Sequence, residues 1–169
     1  SVRCVSVEPA SCPKMTRGVY RYDYTDASGV TPLQKMYTLG QTFATPPIHA
    51  GGLRYHASSK LISALYHHQL IEAVAYQQSE VFQSGVLFSQ VEGIIPAPES
   101  AHAVHGAVVE ALRAREEGTR PVILFCLSGH GHFDMAAYDA YLRGELEDVV
   151  ITDEQIAASL EMLPHVSLE

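Results

Sequence analysis

Apolar residues recur along this chain in two rhythms. Leu61, Ile62, Leu65 and Tyr66 fall on one helical face and predict a helix over about 57–69. Ile71 to Tyr76 then reads as a short strand. Val81, Phe82, Val86, Leu87 and Val91 predict a second helix over roughly 78–92, ended by Gly93. Ala101, Val104, Val108 and Leu112 predict a third over about 99–117, with Gly118 as its stop. Asp134 suits the N-cap of a helix over 135–144, and a last helix is expected over about 153–163, after Thr152.

The other rhythm is that of strands. Residues 2–7 are β-rich and end at Glu8-Pro9, where proline halts ladder pairing. Pro121 to Leu127 is a continuous apolar run of the kind buried on both faces of a sheet. Strands alternating with helices predict an α/β domain, a mostly parallel sheet flanked by helices. Residues 9–50 break the pattern: Pro, Gly, Asp and Thr are scattered among Tyr20, Tyr22, Tyr24 and Tyr37. They read as a long loop or arm within a single domain spanning 1–169, although the tyrosine alternation allows a short strand.

Composition narrows the class. With 169 residues, 47% of them hydrophobic and 18% charged, the chain can build a core and is not disordered. A formal net charge of −8 argues against general nucleic-acid binding. The strongest apolar run, Val122 to Leu127, is too short to span a bilayer. Cys4, Cys12 and Cys126 have no C-x-x-C spacing and there is no secretory leader, which fits reduced thiols in a cytoplasmic protein, with Cys126 in the core. The chain opens at once in strand pattern, and Leu168-Glu169 looks like an expression-vector remnant, so a piece of a longer protein is expected.

Three segments carry candidate chemistry. Ser128-Gly129-His130-Gly131 follows the run 121–127, and ligands of parallel α/β sheets sit beyond the carboxyl ends of the strands. There the glycines admit a ligand to the backbone and Ser128 presents a hydroxyl; the plain alternative is a tight turn. Glu99 begins a helix behind Pro96 and Pro98, where dipole stabilisation alone explains it as well. Gly51-Gly52 precedes polar residues and can expose backbone groups to a substrate or an ion. His130, His132 and Asp134, with His102 and His105, invite a metal reading, which needs three or four converging ligands.

Taken together, the runs LQKMYTLG (33–40), PPIHAGGLRYH (46–56), EAVAYQQSEVF (72–82), EGIIPAPESAHAV (92–104) and VILFCLSGHGHFD (122–134) resemble the C-terminal portion of the second type of tryptophan synthase β chain, a branch of the fold type II pyridoxal-phosphate enzymes. The resemblance implies a partial fold of that kind, and a lyase that joins serine and indole into tryptophan. It implies that Ser128, with Gly129, faces the cofactor's pyridine nitrogen, a hydroxyl there leaving the ring a weaker electron sink than a carboxylate would. It implies that Glu99 lies near the reacting centre as the catalytic carboxylate. Gly52, Tyr55 and Ala57 match the loop that positions substrate and offers carbonyls to a monovalent cation, with Ala57-Ser58-Ser59-Lys60 departing from that loop's usual sequence.

The lysine that holds the cofactor covalently and the Gly-rich phosphate loop both precede the region resembled. Lys14, Lys35 and Lys60 are this chain's lysines, and none stands in a His-Lys-Asn context. The chain is therefore expected to be inactive alone, and its partner to be the missing N-terminal portion of the enzyme or a self-associated copy. Two other readings compete: a non-catalytic module that associates with itself, and a small His-rich metalloprotein.

Overall fold

A computed structural model describes residues 2–166; Leu168-Glu169 lies outside them. The fold is α/β, in the order β1 (Val5–Pro9), β2 (Val19–Asp23), β3 (Gln34–Thr38), α1 (Lys60–His67), β4 (Glu72–Tyr76), α2 (Gln78–Glu92), α3 (Pro98–Glu116), α4 (Met135–Leu142) and α5 (Asp153–Leu160). Short 3-10 turns occupy Gly51–Leu53 and Gly131–Phe133. The described residues form two compact units: 2–47, 54–75 and 149–166 in the first, 48–53 and 76–148 in the second.

In the first unit β1 and β4 pair across the intervening hairpin and α1, while β2 and β3 pair antiparallel with Tyr20 opposite Tyr37. The stretch 9–50 thus contains a hairpin as well as loop. Two of its tyrosines pack on rings of α1: Tyr20 stacks on His67 with ring centroids 4.2 Å apart, and Tyr37 meets Tyr66 at a tilt with centroids 5.0 Å apart. Behind the loops, Cys12, Leu39, Phe43, Ile151 and Ile156 form a core cluster. A buried Glu8 carboxylate accepts the N–H groups of Met15 and Thr16 and so fixes the turn after β1. Asp23 accepts the Thr38 hydroxyl at 2.6 Å, which locks the end of the hairpin.

The second unit is helical. α2 packs along α3, and Phe82, Ala137 and Tyr138 are its core. α2 begins in a capping box, where Gln77 N–H donates to Glu80 Oε2 at 3.1 Å, and ends on Gly93 in the left-handed region at φ 70°. Both bounds match the pattern in the sequence.

Two expectations need correction. Pro121–Leu127 is not a strand: no backbone group of it pairs with another among the described residues, and Val122 and Leu124 are 98% and 94% exposed. An extended run becomes a strand only when a neighbour completes its ladder. For the same reason Cys126 is exposed rather than in the core. At the other end, β1 runs through Pro9 instead of stopping short of it. This sheet has only two strands, so every strand is an edge, and edges tolerate a missing N–H.

Candidate functional site

Proline and glycine chemistry builds the end of the second unit where α3 and α4 begin. Pro96 cannot donate, yet its neighbours tie two loops together: Ala97 N–H donates to Gly129 O at 3.0 Å and Gly131 N–H to Ile95 O at 2.8 Å. The bridge between Pro96 and His130 sets the residues that precede α3 beside those that precede α4. Only glycine fits at 131, because a Cβ there would stand 2.6 Å from Pro96 O.

Ser128 sits just before this bridge and is exposed. Its hydroxyl lies 3.2 Å from that of buried Ser100, in the first turn of α3. Gly129 N–H donates to Ser100 Oγ at 2.9 Å. Ser100, having accepted that bond, can give its own proton to Ser128 Oγ. The Ser128 proton is then free for an outside acceptor, such as an unprotonated ring nitrogen. Nothing in the sequence singled out Ser100; its only signal was adjacency to Glu99.

Glu99 points back to the 3-10 turn, where Gly52 N–H donates to its Oε1 at 2.8 Å. A Cβ on Gly52 would meet that same oxygen at 3.3 Å, so glycine here allows the close approach. Asp134, at the start of α4, shares the neighbourhood electrostatically. Its pKa is raised chiefly by burial and next by the charge of Glu99, while His130 and His49 oppose the shift. This end of the unit therefore holds two carboxylates, two imidazoles and a presented hydroxyl.

The remaining sequence candidates lie in the first unit. Tyr55 donates its hydroxyl to Thr25 O, and Ala57 is buried in a bridge to Thr38. So do all three lysines: Lys14 is buried and its pKa lowered by that burial, Lys35 stands over the rings of Tyr20 and Tyr22, and Lys60 is exposed at the start of α1. The second unit contains no lysine.

The residues present fit one edge of pyridoxal phosphate. Ser128 offers an exposed hydroxyl of the kind a ring nitrogen accepts, and Gly129 packs closely, since a Cβ there would stand 3.2 Å from Ala97 Cβ. The unit that carries Ser128 offers no amine to bind the aldehyde carbon. Among the described residues no group of three or more His, Cys, Asp or Glu side chains converges as a metal site, and no helix is long and apolar enough to cross a membrane.

No family model matches the chain. Curated relatives do. Tryptophan synthase beta chain 2 of Aquifex aeolicus is 56% identical over 147 residues, which is 87% of this chain and 34% of that protein. The namesake from Methanosarcina mazei is 58% identical over 147 residues, 87% of this chain and 33% of that one. The one from Aeropyrum pernix is 56% identical over 159 residues, 94% of this chain and 35% of that one. The chain spans about a third of the length of the curated relatives it matches. The mixed α/β architecture is consistent with a partial fold type II arrangement. By sequence this chain belongs with the tryptophan synthase β chains of the second type, as a C-terminal portion of one.

Proposed function

We propose that the chain supplies one wall of a pyridoxal-phosphate site in a tryptophan-forming lyase and has no activity alone. The observation that carries the reading is the Ser100–Ser128 pair, in which Ser100 can donate to Ser128 and leave the exposed Ser128 hydroxyl free to donate at the foot of α3. When bound, the cofactor supplies the electron sink for exchanging the serine hydroxyl for indole. Ser128 would donate to its ring nitrogen without protonating it. Glu99, held by Gly52 N–H, would keep a carboxylate fixed beside the substrate and move a proton there. Gly129 would let the ring approach the backbone. The amine and the backbone cradle for the phosphate would come from a second polypeptide segment: the second unit has no lysine, and none of Lys14, Lys35 and Lys60 stands in a His-Lys-Asn context.

The test is reconstitution. The chain is mixed with the N-terminal two thirds of the Aeropyrum pernix relative, and cofactor absorbance and indole consumption are followed. Both are expected in the mixture and neither in the chain alone. Indole consumption by the isolated chain would overturn the reading. Ser128→Ala in the mixture should weaken cofactor retention about tenfold, the effect of losing one hydrogen bond to the ring. The other reading, a non-catalytic module that associates with itself, draws on the exposed Val122 and Leu124. Sedimentation separates the two, because the module would form a defined oligomer that excludes the N-terminal part.

A further inference from the structure

We propose that Tyr20 and Tyr37 form a modification site, at which a diffusible one-electron oxidant joins the two rings into a dityrosine across the β2–β3 hairpin. Side chains alternate across a strand, so Tyr20 and Tyr22 share a face with Lys35 and Tyr37, while Asp23, Met36 and Thr38 turn to the buried side. Tyr20 and Tyr37 stand directly opposite in the register, and residues so paired hold their Cβ atoms about 5 Å apart. Their ring centroids are 5.2 Å apart and their planes differ by 31°. Rings of α1 brace the pair: His67 stacks on Tyr20 at 4.2 Å and 24°, and Tyr66 leans on Tyr37 at 5.0 Å and 60°. Burial chiefly raises the pKa of the Tyr37 hydroxyl, and the neighbouring hydroxyls of Tyr66 and Tyr20 add to the shift, so the phenol oxygens of this group lie near one another. Tyr20 and Tyr37 are both half-buried, which leaves them open to a small oxidant while their neighbours limit how far they can swing.

Ring geometry selects the product. Each phenol gives up one electron and its hydroxyl proton, and the unpaired spin of the phenoxyl spreads to the ring carbons beside the oxygen. Two such carbons join through orbitals perpendicular to their rings, so a shallow angle between the planes favours coupling and a steep one opposes it. That choice falls on Tyr20 and Tyr37 at 31° rather than on Tyr37 and Tyr66 at 60°. His67 stacks at a shallow angle too, but an imidazole resists the one-electron oxidation that a phenol undergoes, so it braces Tyr20 without competing. One C–C bond forms, the C–H bonds at the two joined carbons break, and those protons restore the hydroxyls through water. The net loss is two hydrogens, as two protons to solvent and two electrons to the oxidant. The product ties β2 to β3 covalently and closes the chain between residues 20 and 37.

The test illuminates the full 169-residue chain with tris(bipyridine)ruthenium(II) and persulfate, which takes the two electrons as it breaks into two sulfates. Trypsin then cuts after Arg17, Arg21, Lys35 and Arg54, leaving Tyr20 in residues 18–21, Tyr37 in 36–54, and Tyr66 and His67 together in a third peptide. Dityrosine fluorescence is expected, with 18–21 joined to 36–54 as the leading product, two hydrogens lighter than the sum of the parts, at a yield unchanged by dilution. Tyr20→Phe and Tyr37→Phe keep the rings and remove only the hydroxyls, and each should abolish this link. Tyr22→Phe and Tyr66→Phe should leave it. In urea, where the register is lost, the preference should vanish. A leading link to the peptide that carries Tyr66 and His67, a yield that falls on dilution, survival of the link in Tyr20→Phe, or the same preference in urea overturns the proposal. None of these outcomes involves the cofactor, so failure here leaves the lyase reading standing.

Discussion

Single groups decide how firmly the candidate site is held. Ser100 links the backbone of Gly129 to the hydroxyl of Ser128 from a buried position. Ser100→Ala should therefore lower stability by roughly 1–3 kcal/mol, the range for stranding a half-buried donor, as read by urea denaturation. His105 offers a second check. Its Nδ1 is 2.8 Å from buried Ser84 Oγ, and Tyr76 meets its ring edge-on at 4.4 Å. Burial lowers its pKa below the ordinary 6.5, with Glu80 opposing. The unfolded chain thus binds the proton more readily. Stability from this site is complete above pH 6.5 and falls as pH drops through the lowered value. Thermal unfolding from pH 7 to pH 5 should show that decline, and His105→Gln should flatten it. At this scale the turn glycines and the helix start make the segments of Ser128, Glu99 and Gly52 stand out in the sequence, and the resemblance supplies the roles proposed for them. Ser100 does not stand out, because its bonds to Gly129 and Ser128 join segments far apart along the chain; Asp134 reads locally as a helix cap and a metal candidate, but its electrostatic coupling to Glu99 is likewise a long-range relation.

Elements show why local pattern succeeded for helices and failed for one strand. α2 and α3 carry their own stop and start signals, Gly93 at φ 70° and Gly118 at φ 67° among them, and their hydrogen bonds are internal. α5 carries a capping box in Thr152 and Gln155, and Thr152→Ala should cost about 1 kcal/mol in thermal denaturation. The run 121–127 has the composition of a strand, yet strand structure is a relation between segments, and that relation is not in the run itself. Gly85 illustrates the same limit. Helix propensity favours alanine there by about 1 kcal/mol. Packing reverses this, because a Cβ would stand 2.7 Å from Tyr138 Oη and 3.4 Å from Ala101 Cβ. Moving that hydroxyl would break its 2.7 Å bond to Pro96 O, the loop that precedes α3. Gly85→Ala is expected to destabilise the chain in chemical denaturation despite its better propensity, and a stabilised variant would contradict this packing argument.

At the scale of the whole molecule, the division into two units was not visible in a sequence without linkers or changes of composition. The first unit is stitched from segments at both ends of the chain: Arg17 donates to Ile151 O at 2.7 Å and pairs with Asp153 at 2.5 Å. Removing residues 149–166 should therefore unfold the hairpin region as well as delete α5. Loss of hydrogen-exchange protection over 19–23 and 34–38 would report it.

The placement of the lysines has a practical corollary. Succinimidyl dyes react with primary amines, so every lysine-borne label falls at positions 14, 35 and 60, and the surface around Ser128 keeps its native chemistry. A dye at Lys60, the exposed one at the head of α1, therefore leaves every group of the other unit chemically unaltered.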